Sequence, residues 1–289
     1  MKKKILVTGG AGFVGSNLCE RLALDKNNDV YSLDNYFTGS RENHVKNVTY
    51  IVGSTADIDS CIQFAPDLIY HLGEYSRVEQ SFDDIEKVWR FNKDGIFEVL
   101  QFVRKTGAKI VYAGSSTKFA DDGNGSSQSP YAWTKSANTE LVNNYGDWFG
   151  INYAIVYFYN VYGKREISTG RYATLIALFA EKMRKKEPLT IVAPGTQLRN
   201  FTHVDDIVDG LLVVGDNGSG DGYGIGNPNA YSVTDIAEMY GGEVQMLPPR
   251  KGNRMSGGTR TERTEELGWT AKRTIQQYIN ELRLNNWQL

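Results

Sequence analysis

The sequence predicts an α/β fold, in which a doubly wound parallel sheet is followed by a smaller C-terminal α/β domain. Short apolar runs such as KILVT, DVYSL and AKIVYA alternate with helix-like stretches, and nearly continuous apolar strands separated by helices are typical of parallel sheets covered on both faces. The alternation is regular up to about residue 160 and irregular beyond it. We therefore predict a first domain over residues 1–160, with a returning segment near 200–215, and a second domain mainly over 161–289.

Composition limits the classes of function. The 289 residues are 40% hydrophobic and 23% charged, with a net charge of -2, so the chain offers no basic surface for nucleic acid or an anionic membrane. No apolar run approaches the length of a membrane span. Cys19 and Cys61 lie in apolar helical patterns without metal-ligand spacing, so we interpret both as core thiols. We expect a cytoplasmic protein with no metal site.

The first strand leads directly into a glycine loop that indicates a dinucleotide site. Gly9, Gly12 and Gly15 form a G-x-x-G-x-x-G pattern in which Phe13 and Val14 begin a helix. Glycines let the backbone approach a pyrophosphate, whose charge is stabilised by the free N–H groups of the helix N-terminus. The alternative is a plain glycine-rich turn. The loop predicts that the first domain is of the Rossmann type.

The second strand ends in Asp34, which Asn35 follows. Asp34 lies about twenty residues beyond the glycine loop, where a carboxylate accepts hydrogen bonds from an adenosine ribose and repels a 2′-phosphate. A helix cap or a loop residue is the alternative for Asp34 alone. Together with the loop, Asp34 favours NAD over NADP.

Tyr131 and Lys135 raise a question that their spacing cannot answer. Residues four apart share a face in any helix, and the SSQSP segment before Tyr131 is ordinary helix-start chemistry. The pair is therefore either catalytic or merely the first turn of a helix, and the rest of the chain has to decide.

The chain resembles the extended short-chain dehydrogenase/reductase family, specifically its NAD-dependent nucleotide-sugar epimerases and dehydratases. The resemblance rests on eight motifs in order: ILVTGGAGFVGSNL, LDNYFTGSREN, YHLGEYSRVEQS, RFNKDGIFEVL, AGSSTKF, SPYAWTK, NVYG and GTQLRNFTHVDDIVDG. It covers nearly the whole chain and favours the catalytic interpretation of the Tyr/Lys pair.

The resemblance implies that Tyr131 is the acid/base, while Lys135 holds the nicotinamide ribose and stabilises the tyrosine phenolate by its charge. Ser115 aligns with the family's catalytic Ser or Thr, which hydrogen-bonds the same sugar oxygen. Ser116 and Thr117 are rivals for that role, and we include both among the substrate contacts. Each of the three could instead be a loop or capping residue.

Leu72 and Asn92 are cofactor contacts by the same resemblance. After Leu72 the family has small residues, where this chain has Gly73 and Glu74. We expect Glu74 and Arg77 to lie near the substrate. Glu74 is either a second acid/base or a salt-bridge partner of Arg77, and we favour the salt bridge.

For the nucleotide end of the substrate, Asn160 matches the family's nucleotide-sugar contact. Arg199 and Arg250 match the arginines that hold the pyrophosphate, with Arg254 as an alternative to Arg250. Guanidinium groups suit this role because they bind phosphate oxygens in a bidentate manner.

These features predict an NAD-dependent nucleotide-sugar epimerase that oxidises C4 to a bound 4-keto intermediate. A nucleotide-sugar 4-dehydrogenase or a ketosugar reductase would use the same residues. A 4,6-dehydratase is disfavoured because Ser116 and Thr117 replace the usual Asp-Glu pair, and a non-catalytic NAD-binding regulator is disfavoured by the intact Tyr131 and Lys135. Polysaccharide biosynthesis is the pathway that the family suggests.

The resemblance also implies a homodimer packed through two helices of each subunit, around residues 83–105 and 131–149. Apolar positions on these helices fit either a dimer interface or the core. They are Val88, Phe91, Val99, Leu141, Val142 and Trp148.

Overall fold

The computed structural model describes residues 2–116, 126–249 and 258–288. Its strands are β1 (Lys3–Thr8), β2 (Asn28–Asp34), β3 (Val48–Val52), β4 (Leu68–His71), β5 (Lys109–Ser115), β6 (Tyr153–Phe158), β7 (Val161–Tyr162), β8 (Leu189–Val192), β9 (Leu198–Asn200), β10 (Thr202–His203), β11 (Gly220–Ile225), β12 (Ala230–Ser232) and β13 (Val244–Leu247).

The helices alternate with these strands. They are α1 (Phe13–Leu22), α2 (Ile58–Cys61), α3 (Ile85–Val88), α4 (Gly95–Thr106), α5 (Pro130–Phe149), α6 (Leu175–Lys185), α7 (Val204–Asn217), α8 (Val233–Tyr240), α9 (Glu262–Glu265) and α10 (Ile275–Leu284). A π-helical stretch, Trp89–Asp94, joins α3 to α4, and short 3₁₀ turns lie at Arg41–Asn43, Thr55–Asp57 and Glu79–Phe82.

Seven strands form one parallel sheet in the order β11-β6-β5-β4-β1-β2-β3. The chain moves outward from β1 through β2 and β3, and then returns to place β4 on the other side of β1. In such sheets ligands bind outside the carboxyl ends of the strands, where the order reverses. The predicted α/β fold with a Rossmann-type parallel sheet is confirmed.

The two faces of this sheet are covered by different parts of the chain. One core cluster is built from residues up to Tyr157, from β1 to β6 with α4 and α5. The other face is completed by Ile207 and Leu211 of α7, by Ile225 of β11 and by Trp269. The segment that returns to the sheet is thus longer than the expected 200–215 stretch, while the proposed boundary at residue 160 remains a prediction.

A third cluster gathers the smaller C-terminal elements. Phe179 of α6, Ile191 of β8, Ile236 of α8 and Ile279 of α10 are all fully or almost fully buried in it. Paired short strands, β8 with β13 and β9 with β12, lie in this part of the chain.

Three positions expected to fit a dimer interface belong to the protomer's own core. Val88, Val99 and Val142 are fully buried. Apart from Ile85, the large apolar side chains exposed on the same helices are aromatic, and Trp89 and Trp133 stack on each other with ring centroids 6.0 Å apart. In the described residues, none of the helices is both long and apolar enough to cross a membrane.

Candidate active site

In the glycine loop between β1 and α1, the backbone at the start of the helix lies close to the backbone at the start of the loop. Gly9 has a φ of 72°, a conformation that favours glycine. Gly15 faces the Gly9 carbonyl so closely that a Cβ would overlap it. Gly12 precedes α1, and no side chain caps the helix. The N–H groups of its first turn therefore suit the pyrophosphate of a dinucleotide.

Asp34 ends β2 beside this loop. Its carboxylate accepts hydrogen bonds from the backbone N–H groups of Ala11, at 2.9 Å, and Tyr36, at 2.8 Å. Burial raises the pKa of Asp34, although these hydrogen bonds oppose the shift. The carboxylate is thereby held at the edge of the cavity, where it suits a ribose.

A cavity of about 750 Å³ extends from the glycine loop to the C-terminal part of the chain. Most of the site residues predicted from the sequence line it. They are Gly9, Gly12, Phe13, Val14, Gly15, Asp34, Asn35, Leu72, Glu74, Arg77, Ser115, Ser116, Tyr131, Lys135, Asn160 and Arg199. Thr117, Arg250 and the alternative Arg254 lie outside the described residues.

The first turn of α5 carries the proposed acid/base. The Ser129 side chain caps the helix by accepting from the Ala132 N–H at 3.1 Å, and Pro130 occupies the first helical position. This start directs the Tyr131 hydroxyl to Ser115 Oγ at the end of β5, at 3.2 Å. Two hydroxyl groups from different elements therefore converge on one place in the cavity.

Lys135 lies one turn further along α5 and is almost completely buried. Its ammonium donates to the Ala113 carbonyl oxygen at 2.7 Å and lies 2.6 Å from Glu74 Oε2. The salt bridge that we favoured between Glu74 and Arg77 is therefore wrong. Glu74 lies three residues after the end of β4, and parallel pairing places the end of β4 beside β5.

The Glu74 carboxylate is enclosed by side chains from three elements. Besides Lys135, Tyr112 Oη donates to Oε2 at 3.0 Å and Asn138 Nδ2 donates to Oε1 at 3.1 Å. His71 Nε2 lies 3.5 Å from Oε1. Burial alone would raise the pKa of Glu74, but the adjacent Lys135 charge and His71 hold this pKa below its ordinary value. Glu74 is therefore an ionised carboxylate inside the protein.

Arg77 joins two loops at the cavity. Its Nε and Nη2 donate to the Tyr172 carbonyl oxygen at 3.2 and 2.9 Å, and Nη1 donates to Ser76. Arg77 makes no ion pair with a carboxylate in the part of the chain that the structure describes. Burial lowers the pKa of its guanidinium, while the neighbouring Tyr131 and Glu166 oppose that shift. Arg77 thus brings to the cavity a positive charge that forms no ion pair within the described residues.

Asn92 is not among the residues that line the cavity, and its expected contact with the cofactor remains a prediction. It is fully buried, and its side-chain amide binds the backbone of Tyr75, accepting at 2.7 Å, and Thr134 Oγ1, donating at 3.0 Å. Asn92 consequently fixes the loop after β4 to α5.

At the other end of the cavity, Asn160 and Arg199 come together through the C-terminal strands. Asn160 follows β6 with a φ of 28° and donates to the Asn200 carbonyl oxygen at 3.0 Å. Arg199 lies on β9, which pairs antiparallel with β12. This end can receive the nucleotide part of a substrate.

Glu166 is a cavity residue that the sequence did not single out. It is buried, Oε2 accepts from the Gly163 N–H at 3.1 Å, and burial raises its pKa to about 7. Oε1 has no hydrogen-bond partner in the described residues. Nothing in the local pattern KREIS distinguishes Glu166 from a surface carboxylate.

Comparison with known proteins identifies the family. The model of the NAD dependent epimerase/dehydratase family matches residues 5–226. A putative UDP-glucose 4-epimerase of Methanocaldococcus jannaschii is 29% identical over 98% of this chain and 99% of its own length. UDP-glucuronic acid decarboxylase 3 of Arabidopsis thaliana is 31% identical over 81% of this chain and 72% of its own.

A solved structure is similar over the same length. The crystal structure of the Thermus thermophilus UDP-glucose 4-epimerase in complex with NAD has a TM-score of 0.88 and 27% identity, covering 98% of both chains. The glycine loop, the uncapped N-terminus of α1 and Asp34 provide the backbone donors and the carboxylate that NAD requires. NAD is therefore the cofactor, and the chain belongs to the NAD dependent epimerase/dehydratase family.

Proposed function

We propose that the protein is a nucleotide-sugar epimerase that oxidises its substrate at C4. The observation that carries this proposal is the 3.2 Å hydrogen bond from Tyr131 to Ser115, in the same cavity as the glycine loop. An acid/base beside a second hydroxyl group can bind a single sugar oxygen from two sides.

Bound NAD supplies the acceptor and later the donor of the hydride. Ser115 Oγ holds the sugar hydroxyl, and the Tyr131 oxygen removes its proton as C4 becomes a ketone. Lys135 holds the nicotinamide ribose. When the ketone is reduced on its other face, Tyr131 returns the proton, and the net result is inversion at C4.

The nucleotide would lie toward the C-terminal elements. We propose that Asn160 contacts the nucleotide and that Arg199 contacts the pyrophosphate. Both residues line the same cavity as the glycine loop, but they belong to a later part of the sequence. Bidentate hydrogen bonding makes an arginine well suited to phosphate oxygens. Ser116 and Arg77 line the sugar end beside Tyr131.

A second candidate is oxidative decarboxylation of a nucleotide uronate, and Arg77 favours it. A guanidinium without a carboxylate partner in the described chain suits a carboxylate on the sugar. Several relatives are named UDP-glucuronic acid decarboxylases. Oxidation at C4 would make such a substrate a β-keto acid: the C5–C6 bond breaks, CO₂ leaves, its electron pair passes to the C4 carbonyl, and a proton then adds at C5.

Proton NMR of the anomeric region distinguishes the two candidates. The enzyme would be mixed in catalytic amount with NAD and a panel of UDP-, GDP- and dTDP-sugars that includes UDP-glucuronate. A new hexose signal that grows over many turnovers is expected for the epimerase, whereas a pentose signal with release of CO₂ identifies the decarboxylase.

Tyr131→Phe is the matched control, because it removes one oxygen and leaves the ring. We expect turnover to fall at least about a hundredfold, the range of general acid–base contributions, with NAD binding almost unchanged. Full activity of this variant would refute the assigned role of Tyr131. No conversion of any sugar in the panel by the wild-type enzyme would contradict both candidates.

A further inference from the structure

We propose that Glu74 is a positioning residue that holds Lys135 and neutralises its charge, so that Tyr131 keeps its proton to a higher pH than it would beside an uncompensated lysine. This inference rests on the proposed function, since it takes Tyr131 and Lys135 to be the acid/base and its partner. It concerns a residue whose side chain is almost completely buried and which acts through Lys135.

The Glu74 carboxylate and the Lys135 ammonium contact each other directly, and both side chains are buried. Glu74 Oε2 lies 2.6 Å from the Lys135 ammonium, and the side chains are 1% and 6% exposed. The ammonium also donates to the Ala113 carbonyl oxygen at 2.7 Å. Lys135 is therefore held from two sides, by a carboxylate after β4 and by the backbone of β5.

Other side chains fix the orientation of the Glu74 carboxylate. Asn138, which donates to Oε1, also donates to the Asn92 carbonyl oxygen at 3.0 Å and accepts from Lys93 at 2.9 Å. His71 Nδ1 lies 2.8 Å from Thr8 Oγ1, which leaves Nε2 directed at the carboxylate. Such a carboxylate cannot turn away from Lys135 without breaking several hydrogen bonds.

The ion pair reduces the electrostatic effect that Lys135 exerts on Tyr131. An uncompensated ammonium stabilises a nearby phenolate, whereas a cation paired at 2.6 Å with an anion acts at longer range as a dipole with no net charge. The family resemblance places a small residue at the position of Glu74, so this chain adds a negative charge behind its lysine.

Other charged or titratable groups face this cluster from each neighbouring element, and they are the same in all variants at position 74. They are His71 at the end of β4, Arg77 in the loop after β4, Lys93 in the π-helical stretch, and Tyr112 of β5.

The test is an NMR titration of the apoprotein, with tyrosine labelled with ¹³C at Cζ and the Tyr131 signal assigned by its loss in Tyr131→Phe. In Glu74→Gln the Lys135 ammonium keeps two neutral acceptors, the Ala113 carbonyl and the new amide oxygen. We expect the pH at which Tyr131 is half ionised to fall by about one unit, the lower end of the effect of a nearby charge.

Glu74→Asp is the charge-retaining control, and its titration is expected to remain close to that of the wild type. Glu74→Ala is a second neutral variant if Glu74→Gln does not fold, and the same fall is expected for it. An unchanged or higher midpoint in the neutral variants would overturn the proposal, as would an equal fall in Glu74→Asp. Because no substrate or cofactor is needed, this result is independent of whether any nucleotide sugar is turned over.

Discussion

Replacing Gly15 by alanine tests whether the close approach in the glycine loop is required for folding and for NAD binding. A Cβ at Gly15 would overlap the carbonyl oxygen of Gly9 and lie 2.8 Å from its carbonyl carbon and 2.9 Å from Gly10 Cα. All of these are backbone atoms, which cannot rotate away as a side chain would. The N-terminus of α1 would have to move away from β1.

The expected loss follows from overpacking. Extra atoms forced into a close-packed region destabilise a protein by about 1–3 kcal/mol, and a clash with backbone alone places Gly15→Ala near the upper end, at about 3 kcal/mol. Displacement of the first turn of α1 also removes its N–H groups from the pyrophosphate, so we expect the Kd for NAD to rise at least about tenfold, equivalent to about 1.4 kcal/mol.

Gly12→Ala is the matched control for this loop. Its Cβ would meet one atom within 4 Å, the Gly9 carbonyl oxygen at 3.2 Å, and its backbone is extended with a φ of -80°. We expect stability within about 1 kcal/mol of the wild type, with weaker NAD binding, because the added methyl group lies at the pyrophosphate. Thermal unfolding and a titration with NAD measure the two effects. Wild-type stability and affinity in Gly15→Ala would refute this account of the loop.

Two further predictions concern a buried acid and an exposed surface. Burial raises the pKa of Glu166 from 4.5 to about 7, so ionisation of this carboxyl group opposes folding. The resulting loss in the free energy of unfolding is absent below about pH 4.5, grows as the pH rises through 7, and reaches about 3 kcal/mol. The stability of Glu166→Gln relative to wild type should therefore increase by that amount between about pH 4 and pH 8 in unfolding experiments, and an equal difference at both pH values would contradict the assignment. We also propose a homodimer through the exposed aromatic residues near Trp133, so Trp133→Glu should convert a dimer to a monomer by light scattering. Leu284→Glu, at a residue that is 87% exposed on α10, is the control that should leave the mass unchanged; a monomeric wild type would contradict the dimer.

The sequence was sufficient for features that depend on neighbours along the chain. The glycine loop, the alternation of strands and helices, and the capped start of α5 at Ser129 are local, so propensity and spacing predict them. The fold class and the dinucleotide cofactor were predicted correctly for this reason. The family resemblance supplied the role that we propose for Tyr131, which local chemistry alone left open.

Features that depend on contacts between distant elements were not predictable in this way. The partner of Glu74 is Lys135, 61 residues later, rather than Arg77 three residues away, because the end of β4 lies beside β5 and under α5. A charged residue three positions after a fully buried strand is a signal that could have indicated an internal partner. The motif around Asn92 likewise does not show that its amide binds the backbone of Tyr75.

The unequal covering of the two sheet faces has a consequence during synthesis. The face beneath α4 and α5 has all of its apolar residues once Tyr157 has been made, but the opposite face needs Ile207, Leu211 and finally Trp269. While the last third of the chain is still on the ribosome, this face is covered by Leu18, Cys19 and Leu22 of α1 but lacks the cover of α7 and Trp269. A nascent chain of this length exposes apolar surface that a chaperone would bind, and a chain that ends near residue 160 would lack the contribution of Ile207, Leu211 and Trp269 to this face.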